Sequence, residues 1–278
     1  MKNKQSKRSY WKITGKRLSV GLYYGVCLML FLFIMGPLWA LNLRGGFESA
    51  RESVVFYFFP SAQRAYDYGA LHFDANTPAD YDIHKAQMYF TQASVMDPQL
   101  PYVYHQLARI AFLSGEFSKA MSLINIQIQK QGDTVPSSYY VRGLIEGYMG
   151  DYSAAVSDYK HFNDLEPGQW AGINDYAWVL LKARNPQEAA RITSQAIEIY
   201  PTNPWLLNSN ATALYETGNI EAAKLSASKA YKYVQSLTPE EWSRAYPGNS
   251  PDIAIEGVES FKKAVTDNMH TIGISENK

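Results

Sequence analysis

The chain has 278 residues, with 26 basic side chains, 26 acidic side chains and a single cysteine. One cysteine excludes an internal disulfide framework, and a chain of this length can bury a core that needs no covalent support. The zero net charge hides an uneven distribution, which begins at the N-terminus.

The first 43 residues predict a membrane anchor with a basic cytoplasmic tail. Residues 1–17 contain seven Lys or Arg side chains and no acidic one, and residues 18–43 contain no charge. A helix over residues 18–43 would be ~39 Å long, whereas the apolar core of a bilayer is ~30 Å thick. The basic flank predicts a cytoplasmic N-terminus, because only Arg44 and Arg51 offer competing positive charge beyond the apolar run. The rest of the chain would then be extracytoplasmic, as for a protein of the bacterial inner membrane that faces the periplasm.

Other interpretations of this segment stay open. A cleaved signal peptide is disfavoured because the apolar run is long and no small-x-small site follows it. A topology that places the rest of the chain in the cytoplasm conflicts with the charge bias. Gly21 and Gly25 have the GxxxG spacing of helix dimers, but glycine is common in membrane helices, so a homodimer through them is not favoured.

Residues 44–60 predict a membrane-proximal linker. Gly45-Gly46 is the expected flexible joint, and the apolar stretch 54–59 is too short to span a bilayer. That stretch is expected to lie at the membrane surface or to cover the apolar face of the next element. Covering is favoured, because the end of a repeat stack needs an apolar partner.

A 34-residue repeat occupies residues 61–234. Asn174 and Asn208 are 34 residues apart, and so are Ala177 and Ala211. Small residues recur at the eighth and twentieth places of the unit, where two helices of a pair would approach closely. They are Ala108, Gly143, Ala177 and Ala211 at the eighth place, and Ala120, Ala155, Ala189 and Ala223 at the twentieth. Gly115, Gly150 and Gly218 fall at the turn between the two helices.

This pattern resembles the tetratricopeptide repeat (TPR) family. The resemblance implies an all-α fold, a right-handed superhelical α-solenoid of about five TPR helix pairs, here preceded by one transmembrane helix. The first pair is altered, since residues 74–80 add about five residues to what the repeat requires, as end repeats often do.

Residues 235–278 predict capping helices and a tail. Thr238-Pro-Glu-Glu241 has the form of a capping box with proline at the first helical place. Val258, Phe261, Val265 and Met269 share one stripe of a last helix, which predicts that this helix packs on the final repeat.

No catalytic, cofactor or metal site is predicted, so the chain is not expected to be an enzyme. The five histidines lack metal-ligand spacing, and neither a nucleophile elbow nor a glycine-rich phosphate loop is present. Beyond residue 17, 19 basic side chains face 26 acidic ones, which argues against nucleic-acid binding.

The predicted site is a binding surface on the first helix of each unit. In the TPR family this helix lines the inner face, and places two, five, nine and twelve fall on one side of it. Aromatic side chains together with asparagine amides at these places suit an extended peptide. The predicted ligand-binding residues are Tyr102, His105, Arg109, Tyr140, Leu144, Asn174, Trp178, Asn208, Thr212 and Tyr215. The carboxylate clamp of chaperone-binding TPR domains is not reproduced, because its places carry Val141 and Asp175.

The function predicted from these features is a membrane-anchored TPR scaffold that binds a protein or peptide partner and organises an envelope assembly. The alternative is a structural subunit that packs into a membrane complex through its convex face and end caps. A TPR-fused enzyme or enzyme regulator would need a catalytic constellation in residues 238–278, and the sequence contains none there.

Overall fold

The computed structural model describes residue 52 and residues 54–274. The predicted basic tail, membrane helix and Gly21–Gly25 motif therefore lie outside the described residues, as do the last four residues of the chain. Among the helices that are described, none combines the length and the apolar character needed to cross a bilayer.

Contacts divide the chain into two units, the first ending at Phe58 and the second beginning at Phe59. In the first unit, residues 54–58 are helical, and the rings of Tyr57 and Phe58 meet edge to face at 5.2 Å. The covering role predicted for this stretch stays a prediction.

The second unit is an all-α helical repeat solenoid, and its described residues contain no β-strand. Consecutive helices pair and each pair packs on the next. The pairs are Ala62–His72 (α1) with Ile83–Met96 (α2), Val103–Leu113 (α3) with Phe117–Gln131 (α4), Ser137–Met149 (α5) with Tyr152–Leu165 (α6), Trp170–Lys182 (α7) with Pro186–Ile199 (α8), and Pro204–Glu216 (α9) with Ile220–Val234 (α10).

The small residues of the repeat are where the helices of a pair touch. The alanines at the eighth and twentieth places are all fully buried. At Gly143 an added Cβ would lie 3.1 Å from Cδ2 of Tyr159, so the ring takes the place that a larger side chain would need. Leucine at these places would overfill the interface.

Turn residues end the first helices as the sequence predicts. Gly115, Gly150 and Gly218 have φ values of 75°, 86° and 82°, a left-handed conformation that glycine adopts at least cost. In the fourth pair Arg184 takes this conformation at φ 59°, and Asn185 then caps α8 by accepting from the backbone N–H of Glu188.

The chain ends in two further helices, Pro239–Ala245 (α11) and Ala254–Thr271 (α12). The capping box at Thr238 and Glu241 forms as predicted. Helix α12 packs against α10, α11 and α9, and it buries Val258, Val265 and Met269.

Candidate functional site

The first helices form a continuous surface. Besides the contacts within pairs, α3 contacts α5, α5 contacts α7, and α7 contacts α9. We call this surface, together with the end of α1 and the loop 73–82 that follows it, the first-helix face. It carries two polar networks and one segment from the C-terminal part of the chain.

The first network is centred on Arg109. Its Nη1 donates to Oε1 of Gln106 at 2.8 Å, and its guanidinium lies over the ring of Phe73, 4.8 Å from the ring centre. Its Nη2 donates to the carbonyl oxygen of Pro247 at 2.5 Å. Burial lowers the pKa of Arg109 from its usual 12.5, yet the group remains a cation at neutral pH. Both hydrogen bonds end on neutral acceptors, so neither of them pairs the guanidinium with a carboxylate.

The second network joins three successive first helices. Tyr140 of α5 donates to Oδ2 of Asp175 at 2.6 Å, and Asn174 of α7 donates to Oδ1 of the same carboxylate at 3.1 Å. Ser209 of α9 donates to Oδ1 of Asn174 at 2.8 Å. Burial raises the pKa of Asp175, and the two hydrogen bonds that it accepts oppose that rise. The face therefore holds a carboxyl group that accepts from neutral donors as well as a cation that donates to neutral acceptors.

A segment of the C-terminal part of the chain lies on this face. Residues 246–250 connect α11 to a short 3₁₀ turn at Pro251–Ile253. The hydroxyl of Tyr81 donates to the carbonyl oxygen of Gly248 at 2.8 Å, and Nε1 of Trp205 donates to the hydroxyl of Tyr246 at 3.0 Å. With the bond from Arg109, these contacts connect both ends of the stack to one short loop.

The predicted site residues differ in their surroundings. Tyr102 and Tyr215 are 39% and 38% exposed, the most accessible of the set. Arg109, Tyr140 and Asn174 are half-buried members of the two networks. Their role in binding stays a prediction, but their side chains do lie on the face that the repeat pattern indicates.

His105 lies in the core and not on the surface. It is 6% exposed, its Nδ1 lies 3.3 Å from the hydroxyl of Ser138, and its backbone N–H donates to Oε1 of Gln127. Burial, with a smaller contribution from the charge of Arg109, lowers the pKa of His105 to about 3, so the ring is neutral at pH 7. The ring is buried against Ser138 of the next pair, so the predicted role of His105 in ligand binding would require that contact to open, and it stays a prediction.

The other predicted residues make packing or internal contacts. The ring of Trp178 fills the space beside Gly147, and Leu144 packs against the core between the third and fourth pairs. Asn208 accepts a hydrogen bond from Asn268 of α12 at 3.0 Å, and the hydroxyl of Thr212 donates to the carbonyl oxygen of Asn208. Trp178, Leu144 and Asn208 thus contact neighbouring helices, whereas Thr212 bonds within its own helix.

Sequence reasoning missed several members of the site. Asp175 was considered only as an obstacle to a carboxylate ligand, whereas it is the centre of the second network. Tyr81 follows the extra segment 74–80, and Pro247-Gly248 reads only as a break between helices. The added length before Tyr81 was the available signal, since an atypical end repeat marks contact with something other than another repeat.

Comparison with known proteins bears on the repeat. A tetratricopeptide repeat family model matches residues 136–169, which contain α5 and α6. This match shows one tetratricopeptide repeat, at the third of the five helix pairs. No curated protein matches the sequence.

Two solved structures share the fold of this chain. A crystal structure of MamA protein superposes with a TM-score of 0.53 at 15% identity, covering 64% of this chain and 96% of MamA. A tetratricopeptide repeat protein from Parabacteroides merdae superposes with a TM-score of 0.55 at 15% identity, covering 80% of this chain and 89% of its own. At such identities the similarity concerns the fold alone and does not indicate which ligand binds the first-helix face. The described residues contain no cluster of three or more His, Cys, Asp or Glu side chains placed to hold a metal ion.

Proposed function

We propose that the chain is a TPR scaffold that binds a protein or peptide partner on its first-helix face. The observation that carries this proposal is the pair of polar networks on one shared face, because the hydrogen bonds of the Arg109 guanidinium and of the Asp175 carboxyl group run to neutral partners. A partly buried charge bonded only to neutral groups gains more from an ionic partner than an exposed one does. A non-catalytic, right-handed superhelical scaffold is the form of TPR protein that this arrangement suits.

The proposal includes the membrane. Residues 18–43 act as the anchor, the basic tail stays in the cytoplasm, and the repeats face the extracytoplasmic side, where they organise an envelope assembly. Support comes from the charge asymmetry and the long uncharged run. Carbonate extraction of native membranes, with protease protection of the repeats before and after the outer barrier is opened, tests this part. Repeats that are digested only from the cytoplasmic side would refute the topology.

A photo-crosslinking amino acid tests the binding face directly. It is placed at Tyr102 or Tyr215 on the first-helix face and, in matched variants, at Val95 of α2 or Leu225 of α10, which are 77% and 59% exposed. We expect the same partner to be captured by the first two variants and not by the second two, in the full chain and its native membrane.

The second candidate function is a structural subunit that packs through its second helices. Val95, Leu225 and Ile199 are exposed apolar side chains on three different second helices, which is the observation that favours it. Capture only from Val95 and Leu225 would establish this alternative and exclude the first-helix face as the working surface.

A further inference from the structure

The loop 246–249 contacts the first-helix face as a short peptide ligand would. Its main-chain oxygens do most of the bonding, since the carbonyls of Pro247 and Gly248 accept from Arg109 and Tyr81. The side chain of Tyr246 contributes as well, since its hydroxyl accepts from Nε1 of Trp205 and the two rings meet edge to face at 6.3 Å. Arg109 and Tyr81 donate to main-chain carbonyls, which every peptide carries. They could therefore form the same hydrogen bonds with another segment whose backbone has the same shape.

The face imposes two requirements on that shape. Gly248 is buried and has a φ of 90°, and a Cβ there would lie 2.8 Å from Cζ of Phe73 and 2.9 Å from Nη2 of Arg109. Only glycine meets both the conformation and the closeness without strain. The preceding proline fixes its own φ and cannot donate, so it presents its carbonyl without a competing N–H.

The contacts are made to groups that the loop does not saturate. The hydrogen bonds of Arg109 run to neutral acceptors, Tyr246 is 38% exposed, and Pro247 is exposed. Since the loop is tethered at both ends, by α11 and by the turn before α12, its effective concentration at the face is on the order of millimolar. A free segment must compete with that concentration in order to bind.

We propose that the loop 246–249 is an internal occupant of the partner site, and that the partner supplies a segment in which an aromatic residue is followed by Pro-Gly. This inference rests on the proposed function, since it names the partner's chemistry and the regulation of the same face. In the unbound protein the loop holds Arg109, Tyr81 and Trp205 in place. A partner segment takes over those three contacts and displaces the loop, so the apparent affinity is reduced by the fraction of molecules in which the face is occupied.

Two substitutions release the loop without altering the face. Gly248→Ala places a methyl group against Phe73 and Arg109, and it forces alanine into a left-handed conformation. Tyr246→Ala removes the acceptor of the Trp205 N–H. Gly273→Ala is the matched control, because Gly273 has the same φ of 90° but a Cβ added there would have no neighbour within 4 Å.

The probe is a fluorescent peptide with the sequence of residues 243–251, and its binding to the full chain is measured by anisotropy. We expect Gly248→Ala and Tyr246→Ala to bind the peptide at least about tenfold more tightly than the wild type does, while Gly273→Ala binds it as the wild type does. Adding Arg109→Ala to Gly248→Ala should remove the gain. Hydrogen exchange of residues 246–250 shows, in the same samples, whether the loop has left the face.

Equal peptide affinity of the wild type and both loop variants would overturn the proposal. This holds whether hydrogen exchange shows residues 246–250 released from the face or still protected. A loop that neither substitution can release is a fixed part of the structure and not a displaceable occupant. The crosslinking described above separates the two hypotheses. Partner capture at Tyr102 and Tyr215 without peptide binding refutes the internal occupant alone, and loss of both refutes the binding face as well.

Discussion

The ring of Trp178 occupies a space that exists only because residue 147 is glycine. A Cβ at Gly147 would lie 2.7 Å from Cζ3 of Trp178 and 3.3 Å from Cγ1 of Val179. Both neighbours belong to α7, the first helix of the next pair, so this contact joins two repeats. We expect Gly147→Ala to destabilise the fold, because the methyl group must displace a ring that also contacts the rings of Tyr148 and Tyr152.

The magnitude follows from two opposed effects. Alanine is favoured over glycine inside a helix by about 1 kcal/mol, whereas overpacking a close contact costs about 1–3 kcal/mol. Gly147→Ala should therefore lower the free energy of unfolding by up to about 2 kcal/mol, and Trp178→Ala alone by about 3 kcal/mol. Once the ring is absent the methyl group has room, so in the Trp178→Ala background Gly147→Ala should stabilise by up to about 1 kcal/mol. The two substitutions should be coupled by about 1–3 kcal/mol.

The measurement is urea unfolding of the wild type, both single variants and the double variant, followed by circular dichroism in one detergent buffer. Gly143→Ala combined with Trp178→Ala is the control pair, because an added Cβ at Gly143 meets Tyr159 and Ala155 and not the tryptophan. The reasoning would be refuted if the effects of Gly147→Ala and Trp178→Ala on the free energy of unfolding were additive within about 0.5 kcal/mol. It would also be refuted if the control pair were coupled as strongly as the Gly147–Trp178 pair.

Three further predictions use the same unfolding measurement. Ala177→Leu enlarges a fully buried side chain at the eighth place and should cost about 1–3 kcal/mol. Burial, reinforced by the charge of a neighbouring aspartate, raises the pKa of Glu146 to about 7 from 4.5, so the folded state binds this proton more tightly than the unfolded chain does. The contribution of Glu146 to the free energy of unfolding is then complete below about pH 4.5 and lost as the pH rises through 7. Glu146→Gln should therefore be more stable than the wild type at pH 8 and should differ from it least near pH 4.5. The control is Glu221→Gln at an exposed position, whose stability should follow the wild-type pH profile. Asn210→Leu removes a fully buried amide that donates to two hydroxyl groups and accepts from a third. It should lower the free energy of unfolding by about 1–3 kcal/mol.

The helix pairs could be predicted from the sequence because their determinants are local and periodic. Small residues 34 apart fix where two helices touch, and a glycine after the first helix fixes where it turns. The burial of an individual side chain could not be predicted in this way. The spacing of His105 and Arg109 places both on one side of α3, but the burial of His105 depends on Ser138 of the next pair, and no pattern within one helix contains that information.

The candidate site could be predicted only in part for a related reason. The residues of the site that lie on first helices recur along the chain, so the first-helix face itself could be predicted from the sequence. Tyr81 and Gly248 are 167 residues apart and belong to segments that break the repeat. A contact between two irregular segments depends on the path of the whole stack, and that path is the sum of small rotations that one sequence does not specify residue by residue.

The bond between Tyr81 and Gly248 also changes how the stack can come apart. In a repeat array whose units touch only their neighbours, an end unit can unravel while the rest stays folded, and the two termini fray independently. Here the segment after the last pair is bonded to the loop of the first pair, so opening either terminus removes contacts from the other. Fraying at the two ends of the stack is therefore expected to be cooperative, and closing this long-range contact is expected to be a late and entropically costly step in folding.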